Sequence, residues 1–430
     1  MVTQLESARK NVVTDEVRAV AESEQVPLET VMRGVAEGRI VITKNITRET
    51  TPLGIGEGLR IKVNANIGTS KEICDLQREL EKSRVAVEAG ADTLMDLSTG
   101  GDIDEVRRSI LREVSVPLGT VPIYQAVIEA QGKRGAIVDM TEDDIFNVIE
   151  RHAKDGVDFL TVHCGITKES VERVIRQKRL LGIVSRGGTF LTAWIIHNKK
   201  ENPLYANYDY LLEIAKKYDV TLSLGDGLRP GCIADATDIP QIQELLIIGE
   251  LVERARKAGV QTMVEGPGHI PLDQIETNMK LEKSICKGAP FYVLGPLVTD
   301  VAPGYDHIVG AIGGAVAAMS GADFLCYVTP TEHIALPDIE DVREGVLTSR
   351  IAAHAGDLVH NKRLAAKWDY HISKARSDLD WNAQMALALN PDKVKRIREQ
   401  RPPKKVEEVC TMCGEFCAIK ILKDYIRAEH

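Results

Sequence analysis

The sequence predicts an α/β protein organised as a (βα)8 barrel of the TIM type, and three observations predict it. Apolar, strand-like segments recur at 60–68, 91–100, 116–124, 157–165, 181–188, 220–227, 260–268, 290–297 and 322–330. Amphipathic helical stretches such as 72–89, 102–114, 142–155 and 239–257 lie between most of them. Alternating units of this kind bury a parallel sheet beneath helical crossovers. Eight or more units within about 270 residues suit a closed barrel better than an open, doubly wound sheet. Nine candidate strands for eight places mean that one is an extra.

The third observation concerns function. Polar, glycine-rich residues follow the strands at their C-terminal ends: Asn64-Ala65-Asn66-Ile67-Gly68, Met95-Asp96-Leu97-Ser98-Thr99-Gly100-Gly101, His163-Cys164-Gly165, Ser185-Arg186-Gly187-Gly188, Gly225-Asp226-Gly227-Leu228-Arg229 and Glu265-Gly266-Pro267-Gly268-His269. Each alone is an ordinary turn. In a barrel such ends converge on one rim, where active sites of this fold are built, and six in a row mark that rim as a site.

Around the barrel (60–338) the chain reads as a lead-in (1–59), a helical segment (339–392) and a tether with a cysteine segment (393–430). The lead-in is helical, then extended over 38–42. The helical segment holds two stretches, 339–361 and 365–389, suited to an oligomer interface or a lid, and a homodimer is expected. Hydrophobic residues make up 44% of the 430, enough for a large core. A net charge of −9 argues against a nucleic-acid or membrane-surface partner, which would need a basic face. No apolar run approaches the roughly 18 residues of a membrane span. The charged N-terminus does not read as a secretory signal, so a cytoplasmic location is expected. Cys74, Cys164, Cys232, Cys286 and Cys326 are scattered, and a reduced, buried state is expected for them.

The other three thiols, Cys410, Cys413 and Cys417, stand within eight residues behind the basic, proline-bearing run 401–405. Three cysteines cannot close among themselves as disulfides. They are one ligand short of an ordinary cluster or structural zinc site. The spacing is open to a [4Fe-4S] cluster with one open iron, a zinc knuckle finished by a distant histidine, or a redox pair with a bystander.

At the rim, His269 and His333 sit just beyond two strand-like segments with carboxylates nearby. Two neutral imidazoles could hold a divalent metal, zinc or iron, or simply bond to backbone. Arg186 and Arg229 each stand beside glycine-exposed amides, which suits a phosphate ester. Salt-bridged loop arginines are the plainer alternative. Asn66, Tyr124, His163, Glu265 and Tyr292 add groups that would orient a nitrogen heterocycle. No nucleophile elbow or Walker loop is present.

Several of these stretches together resemble the thiamin pyrimidine synthase family, the phosphomethylpyrimidine synthases, over almost the whole chain. They are Val63-Asn64-Ala65-Asn66-Ile67-Gly68, the run 95–101, Gly119-Thr120-Val121-Pro122-Ile123-Tyr124, Ser185-Arg186-Gly187-Gly188, the run 223–231, Glu265-Gly266-Pro267-Gly268-His269, the run 302–307 and Cys326-Tyr327-Val328-Thr329-Pro330. The resemblance implies a radical S-adenosylmethionine enzyme with a (βα)8 barrel and a cluster on a C-terminal tether. It implies conversion of 5-aminoimidazole ribotide to 4-amino-5-hydroxymethyl-2-methylpyrimidine phosphate, with release of formate and carbon monoxide. By motif, Asn66, Met95, Tyr124, His163, Ser185, Arg186, Gly187, Asp226, Gly227, Leu228, Arg229, Glu265 and Tyr292 would contact the ribotide. His269 and His333 would bind a metal, Cys410, Cys413 and Cys417 would bind the [4Fe-4S] cluster, and an external donor would supply its electron.

The chain departs from the family pattern in places. Three residues separate Cys413 from Cys417 where longer members have four, as expected of short forms. Cys232 stands where serine is usual, and Ile334-Ala335 replaces Leu-Gly. A sister group, the 5-hydroxybenzimidazole synthases, uses the same ribotide, cluster and barrel. Outside the family, a metal-dependent barrel hydrolase with a separate zinc clip, or a non-catalytic metal scaffold, would also fit the pieces.

Overall fold

In the computed structural model, which describes residues 2–360, 362–403 and 409–429, eight parallel strands close into a barrel. An antiparallel ribbon of β1 (Ile40–Thr43) and β2 (Leu53–Gly56) precedes it. The barrel strands are β3 (Lys62–Ile67), β4 (Thr93–Asp96), β5 (Leu118–Thr120), β6 (Phe159–Val162), β7 (Thr221–Leu224), β8 (Thr262–Gly266), β9 (Phe291–Leu294) and β10 (Phe324–Cys326). Neighbours follow chain order until β10 pairs with β3, setting Leu325 beside Val63 and Cys326 beside Asn64. Helices cover the outside, so β4, β6 and β7 are buried on both faces and read as unbroken short runs.

One side-chain device recurs at the lower edge of the barrel. Asp92, Asp158 and Asp323 each stand one residue before a strand, in Ala91-Asp92-Thr93-Leu94, Val157-Asp158-Phe159-Leu160 and Ala322-Asp323-Phe324-Leu325. Each donates its backbone N–H to a carbonyl of the preceding strand, those of Val63, Leu118 and Phe291, at 2.8–3.0 Å. Each carboxylate then accepts the N–H of that same residue, at 2.8, 2.9 and 2.8 Å respectively. Such a two-point clamp fixes the register of β3 with β4, β5 with β6 and β9 with β10. Cations complete each corner: Arg60 for Asp92, Arg48 for Asp158 and Lys283 for Asp323.

The lead-in covers this lower mouth. Its helices Asp15–Glu24 and Leu28–Glu37 pack a small core of Val17, Val20, Val31 and Val35 against Ile40 and Ile42 of β1. Glu24 pairs with Lys62 at 2.9 Å, and the lysine is fully buried. Gln261, just before β8, accepts from and donates to the backbone of Ile42 at 2.7 and 3.1 Å. Asn45 donates its backbone N–H to the Asp158 carboxylate at 2.9 Å.

Aromatic rings fill the barrel interior. Phe159 of β6 and Phe324 of β10 belong to strands on opposite sides, yet their rings lie 6.4 Å apart edge to face, and Tyr292 stacks on Phe324 at 4.2 Å. Gly119 in β5 makes room for them, because a Cβ there would stand 2.2 Å from the Phe159 ring.

The structure differs from the sequence reading in four places. The extra strand is 181–188: residues 181–185 are irregular and 186–188 open the helix Arg186–Asn198, and the amides of Leu180 and Leu181 bond to the Asp235 carboxylate at 2.8 and 3.0 Å instead of to a strand. The stretch 365–389 is two helices, Lys362–Asp378 and Trp381–Leu387, broken where Leu379 takes a φ of +59° and Asp380 caps the second. Within the proposed tether, Pro391–Gln400 is a helix capped by Asn390, while 404–408 lie outside the described residues. Cys74 is exposed, because it sits on a loop where its thiol donates to the Ser70 carbonyl.

By compactness the chain forms two units, Met1–Gly356 and Asp357–His430. In the second, Trp368 donates to the Leu387 carbonyl at 2.7 Å, and the Arg398 guanidinium lies 3.9 Å from the Trp381 ring centre. Among the described residues, no helix is long and apolar enough to cross a membrane.

Phe324 touches both other interior rings, so Phe324→Ala is expected to destabilise the barrel by about 3–5 kcal/mol. Denaturant titration of the full chain should show this as a lower midpoint with an unchanged slope.

Candidate active site at the barrel mouth

At the upper mouth the C-terminal ends of the strands surround a cavity of about 170 Å³. Asn66, Met95, Tyr124, His163, Arg186, Asp226, Arg229, Glu265 and Tyr292, all expected from the sequence, line it. The remaining four hold it in shape. Ser185 caps the helix Arg186–Asn198 through the Gly188 amide and lies 3.2 Å from His163 Nε2. A Cβ on Gly187 would stand 2.3 Å from the His163 ring, so only glycine permits that approach. Gly227 packs its carbonyl against Gly188, and Leu228 is fully buried.

The charged groups have defined partners. Arg229 donates to Asp226 Oδ1 at 3.1 Å. Arg186 lies over the Tyr124 ring, 4.8 Å from its centre. Glu265 Oε1 accepts the hydroxyls of Thr161 and Ser223 at 2.6 and 2.8 Å. Asn66 donates its amide to the Cys326 sulfur at 3.1 Å, and Tyr327 donates its hydroxyl to the Asn66 carbonyl at 2.5 Å.

Burial decides the protonation states. It pushes the His163 pKa down to about 3, with help from the Arg229 charge, so the imidazole is neutral. Burial raises the Asp226 carboxyl, Arg229 opposes this, and Glu265 adds to it. Burial also raises Glu265, against the Thr161 and Ser223 hydroxyls. His163 Nδ1 and Asp226 Oδ2 are buried and have no hydrogen-bond partner in the protein. His163 lines the cavity, and its free Nδ1 suits the polar edge of a small heterocycle.

Thr161, Ser223, Cys326 and Glu332 were not read as site residues from the sequence. For the first two a signal was present: each is the polar third residue of a four-residue strand, and the two stand opposite each other in register. Cys326 looked like a buried cysteine, and Glu332 like the neighbour of a histidine.

A second cavity of about 740 Å³ adjoins the first and shares Asn66, Leu97, Arg186 and Glu332 with it. His333 stands in its wall with a φ of +63°. The Nε2 atoms of His269 and His333 are 3.4 Å apart. Two nitrogens each at about 2.0–2.1 Å from one tetrahedral ion are separated by about that distance. Asp300 accepts from His269 Nδ1 at 2.8 Å, and Asp306 lies 3.7 Å from His333 Nδ1; carboxylates so placed orient imidazole rings. Among the described residues, no three His, Cys, Asp or Glu side chains form a group that could hold a metal ion.

In the second unit, Cys410, Cys413 and Cys417 are free thiols on tight successive turns. Gly414 donates to the Cys410 carbonyl, Phe416 to that of Cys413, and Cys417 to that of Gly414, at 3.0–3.2 Å. Cys413 is exposed and the other two are half-buried. Three soft thiolate donors on one short, accessible segment suit an iron–sulfur cluster by donor chemistry.

A barrel that gathers two guanidinium groups, buried carboxyls and a neutral imidazole around one closed mouth is an enzyme for a small polar substrate. The sequence profile of the radical SAM ThiC family matches residues 3–424, and the chain belongs to that family. It is similar to the phosphomethylpyrimidine synthase of Desulforamulus reducens, 59% identical over 429 residues, covering 100% of this chain and 99% of the relative. That of Thermodesulfovibrio yellowstonii is 61% identical, covering 98% and 99%. Phosphomethylpyrimidine synthase 2 of Methanothermobacter thermautotrophicus is 59% identical, covering 98% and 100%. Membership implies a [4Fe-4S] cluster and S-adenosylmethionine as cofactors.

His163 stays neutral when folded but takes a proton near pH 6.5 when unfolded, so it subtracts stability progressively as pH falls below 6.5. Between pH 7 and pH 5 this amounts to about 2 kcal/mol. His163→Gln is expected to flatten the fall in unfolding free energy over that interval by this amount in parallel denaturant titrations.

Proposed function

We propose that the protein is a phosphomethylpyrimidine synthase. It converts 5-aminoimidazole ribotide into 4-amino-5-hydroxymethyl-2-methylpyrimidine phosphate with release of formate and carbon monoxide. The observation that carries this reading is the end-to-end similarity, near 60%, to relatives bearing that name. The cavity supports it, since nine of the thirteen residues expected to contact the ribotide line one pocket.

Each residue then has a role. Arg186, with the Arg186 and Gly187 amides at the start of the helix that Ser185 caps, receives the phosphate, because those first N–H groups lack acceptors in the helix. Arg229 supplies a second positive charge and is held in place by Asp226. His163, neutral, offers Nδ1 to the substrate, and Asn66 and Glu265 orient the aminoimidazole. Tyr124, Tyr292 and Met95 exclude water from its faces. Cys410, Cys413 and Cys417 would hold the [4Fe-4S] cluster, which with S-adenosylmethionine supplies one-electron chemistry that starts the rearrangement. His269 and His333 would hold a divalent metal, zinc or iron, and the adjoining larger cavity has room for S-adenosylmethionine. The working form is a cytoplasmic homodimer that draws its electron from an external donor.

Anaerobic incubation of the reconstituted protein with the ribotide and S-adenosylmethionine, followed by product mass analysis, tests the whole reading. A benzimidazole product would replace it with the sister reaction, and an unaltered ribotide would refute it.

Loss of a charge-assisted phosphate contact costs about 2–3 kcal/mol, or about a hundredfold in affinity. Arg186→Ala and Arg229→Ala are each expected to weaken ribotide binding by that factor in calorimetry, and unchanged affinity in both would move the phosphate elsewhere.

The roles of the two metal sites separate cleanly. His269→Ala with His333→Ala should retain iron and sulfide while losing the additional divalent metal. Cys413→Ala should lose iron while its ribotide affinity stays within about threefold of the parent. Metal analysis and calorimetry on the two variants check both outcomes.

A further inference from the structure

Behind the loop that carries Asp226 and Arg229 lies a smaller cavity of about 20 Å³. It shares Asp226, Arg229 and Glu265 with the mouth pocket, and the long helix Ile239–Ala258 brings Gln241 and Glu244 to its far side. Glu244 is 2% exposed in the second turn of that helix. Its Oε2 accepts the N–H of Leu228 at 2.7 Å, so the carboxyl group carries the backbone of the loop. Glycine at 165 and at 227 leaves it room: a Cβ at either position would come within 2.8 Å of Glu244 Cγ or 3.2 Å of Oε1.

Two polar atoms at this cavity are unmatched. Glu244 Oε1 and Asp226 Oδ2 are both buried and lack a hydrogen-bond partner, while Asp226 Oδ1 takes Arg229. Gln241 and Asn278 also line the space, but they bond to each other and to Thr237 and Gln274. A water needs roughly 10–15 Å³ and at least two polar partners, and both are available here. Charge balance adds a second constraint. Three buried carboxyls, Asp226, Glu244 and Glu265, crowd one guanidinium, that of Arg229, and they cannot all be ionised out of water. Glu244 has the weakest claim to a charge: burial, then the charge of Asp226, push it up to about 8, against the Leu228 and Gly227 amides.

We propose that Glu244 is a positioning residue for the ribotide pocket: a neutral carboxylic acid that hangs the 226–229 loop from the helix and donates, through one water, to Asp226. The atoms balance. Oε2 accepts from Leu228, the Oε1 hydroxyl donates to the water, and the water donates to Asp226 Oδ2. Asp226 is thereby fixed on both oxygens, and Arg229 is aimed by a partner that cannot turn. The inference rests on the reading that the mouth pocket takes the ribotide.

Two variants of the full chain test it. Glu244→Gln keeps an acceptor for Leu228 and an N–H donor toward Asp226, whereas Glu244→Leu keeps the bulk and removes both. Calorimetry should find the glutamine variant within about threefold of the parent in ribotide affinity, and the leucine variant weaker by about tenfold or more. A residue that only fills space would lower the leucine variant's melting temperature and leave the affinity of the folded protein alone. In infrared spectra at neutral pH, the carbonyl stretch of a protonated carboxyl should be present in the parent and lost in Glu244→Gln. A glutamine variant as weak as the leucine one, a leucine variant of parental affinity, or identical infrared spectra would each overturn the proposal. If the leucine variant does not fold, the glutamine variant and its spectrum still decide. A parent that binds no ribotide would refute the substrate instead, and the infrared comparison would still settle whether Glu244 is neutral.

Discussion

The structure depends on three aspartates at the floor of the barrel. A parallel barrel gains nothing from hairpin turns, so the register of each strand must be fixed by something other than its connection. Asp92, Asp158 and Asp323 supply that by bonding twice to one residue of the preceding strand, through their own N–H and through the carboxylate. A slip by one residue would turn every inward side chain outward. Thr161 and Ser223 would then leave Glu265, and Cys326 would leave Asn66. The geometry of the mouth is therefore set at the opposite end of the strands.

The mouth itself is a place where charge is kept low. Burial makes His163 neutral and raises the carboxyls around Arg229, so the pocket presents hydrogen-bonding groups with few competing negative charges. Two guanidinium groups line the same cavity: Arg229 is paired with Asp226, and Arg186 lies over the Tyr124 ring. Glycine has a separate task here: at 187 it lets a loop close on the His163 ring without a side chain between them.

Much of this was legible in the sequence because it is periodic. Strand–helix alternation gave the barrel, and the polar residues after each strand marked its mouth before any contact was known. The segment 181–188 misled for the same reason: Leu181, Ile183 and Val184 have a strand's composition, and only the Asp235 carboxylate, some fifty residues on, takes the amides that would have paired. The helix Pro391–Gln400 was hidden by its charge, since a polar segment reads as a tether unless its Asn390 cap is given weight. Asp92, Asp158 and Asp323 were overlooked although each precedes a strand in a similar four-residue setting. An aspartate before a strand looks like turn chemistry until its partner across the sheet is known.

The buried pair of Lys62 and Glu24 bears on how such a protein can change over time. Lys62 opens the first barrel strand with no exposed surface, and burial drives it toward its uncharged form while Glu24 holds the proton on. The partner lies in the lead-in, outside the barrel altogether. A different lead-in that covered the lysine without supplying Glu24 would leave a stranded charge at the base, costing about 3–5 kcal/mol. Recombination that shuffles barrels between contexts must move both segments together or alter Lys62 first. The lead-in is thus heritable with the barrel as one piece, and the two are expected to diverge in step.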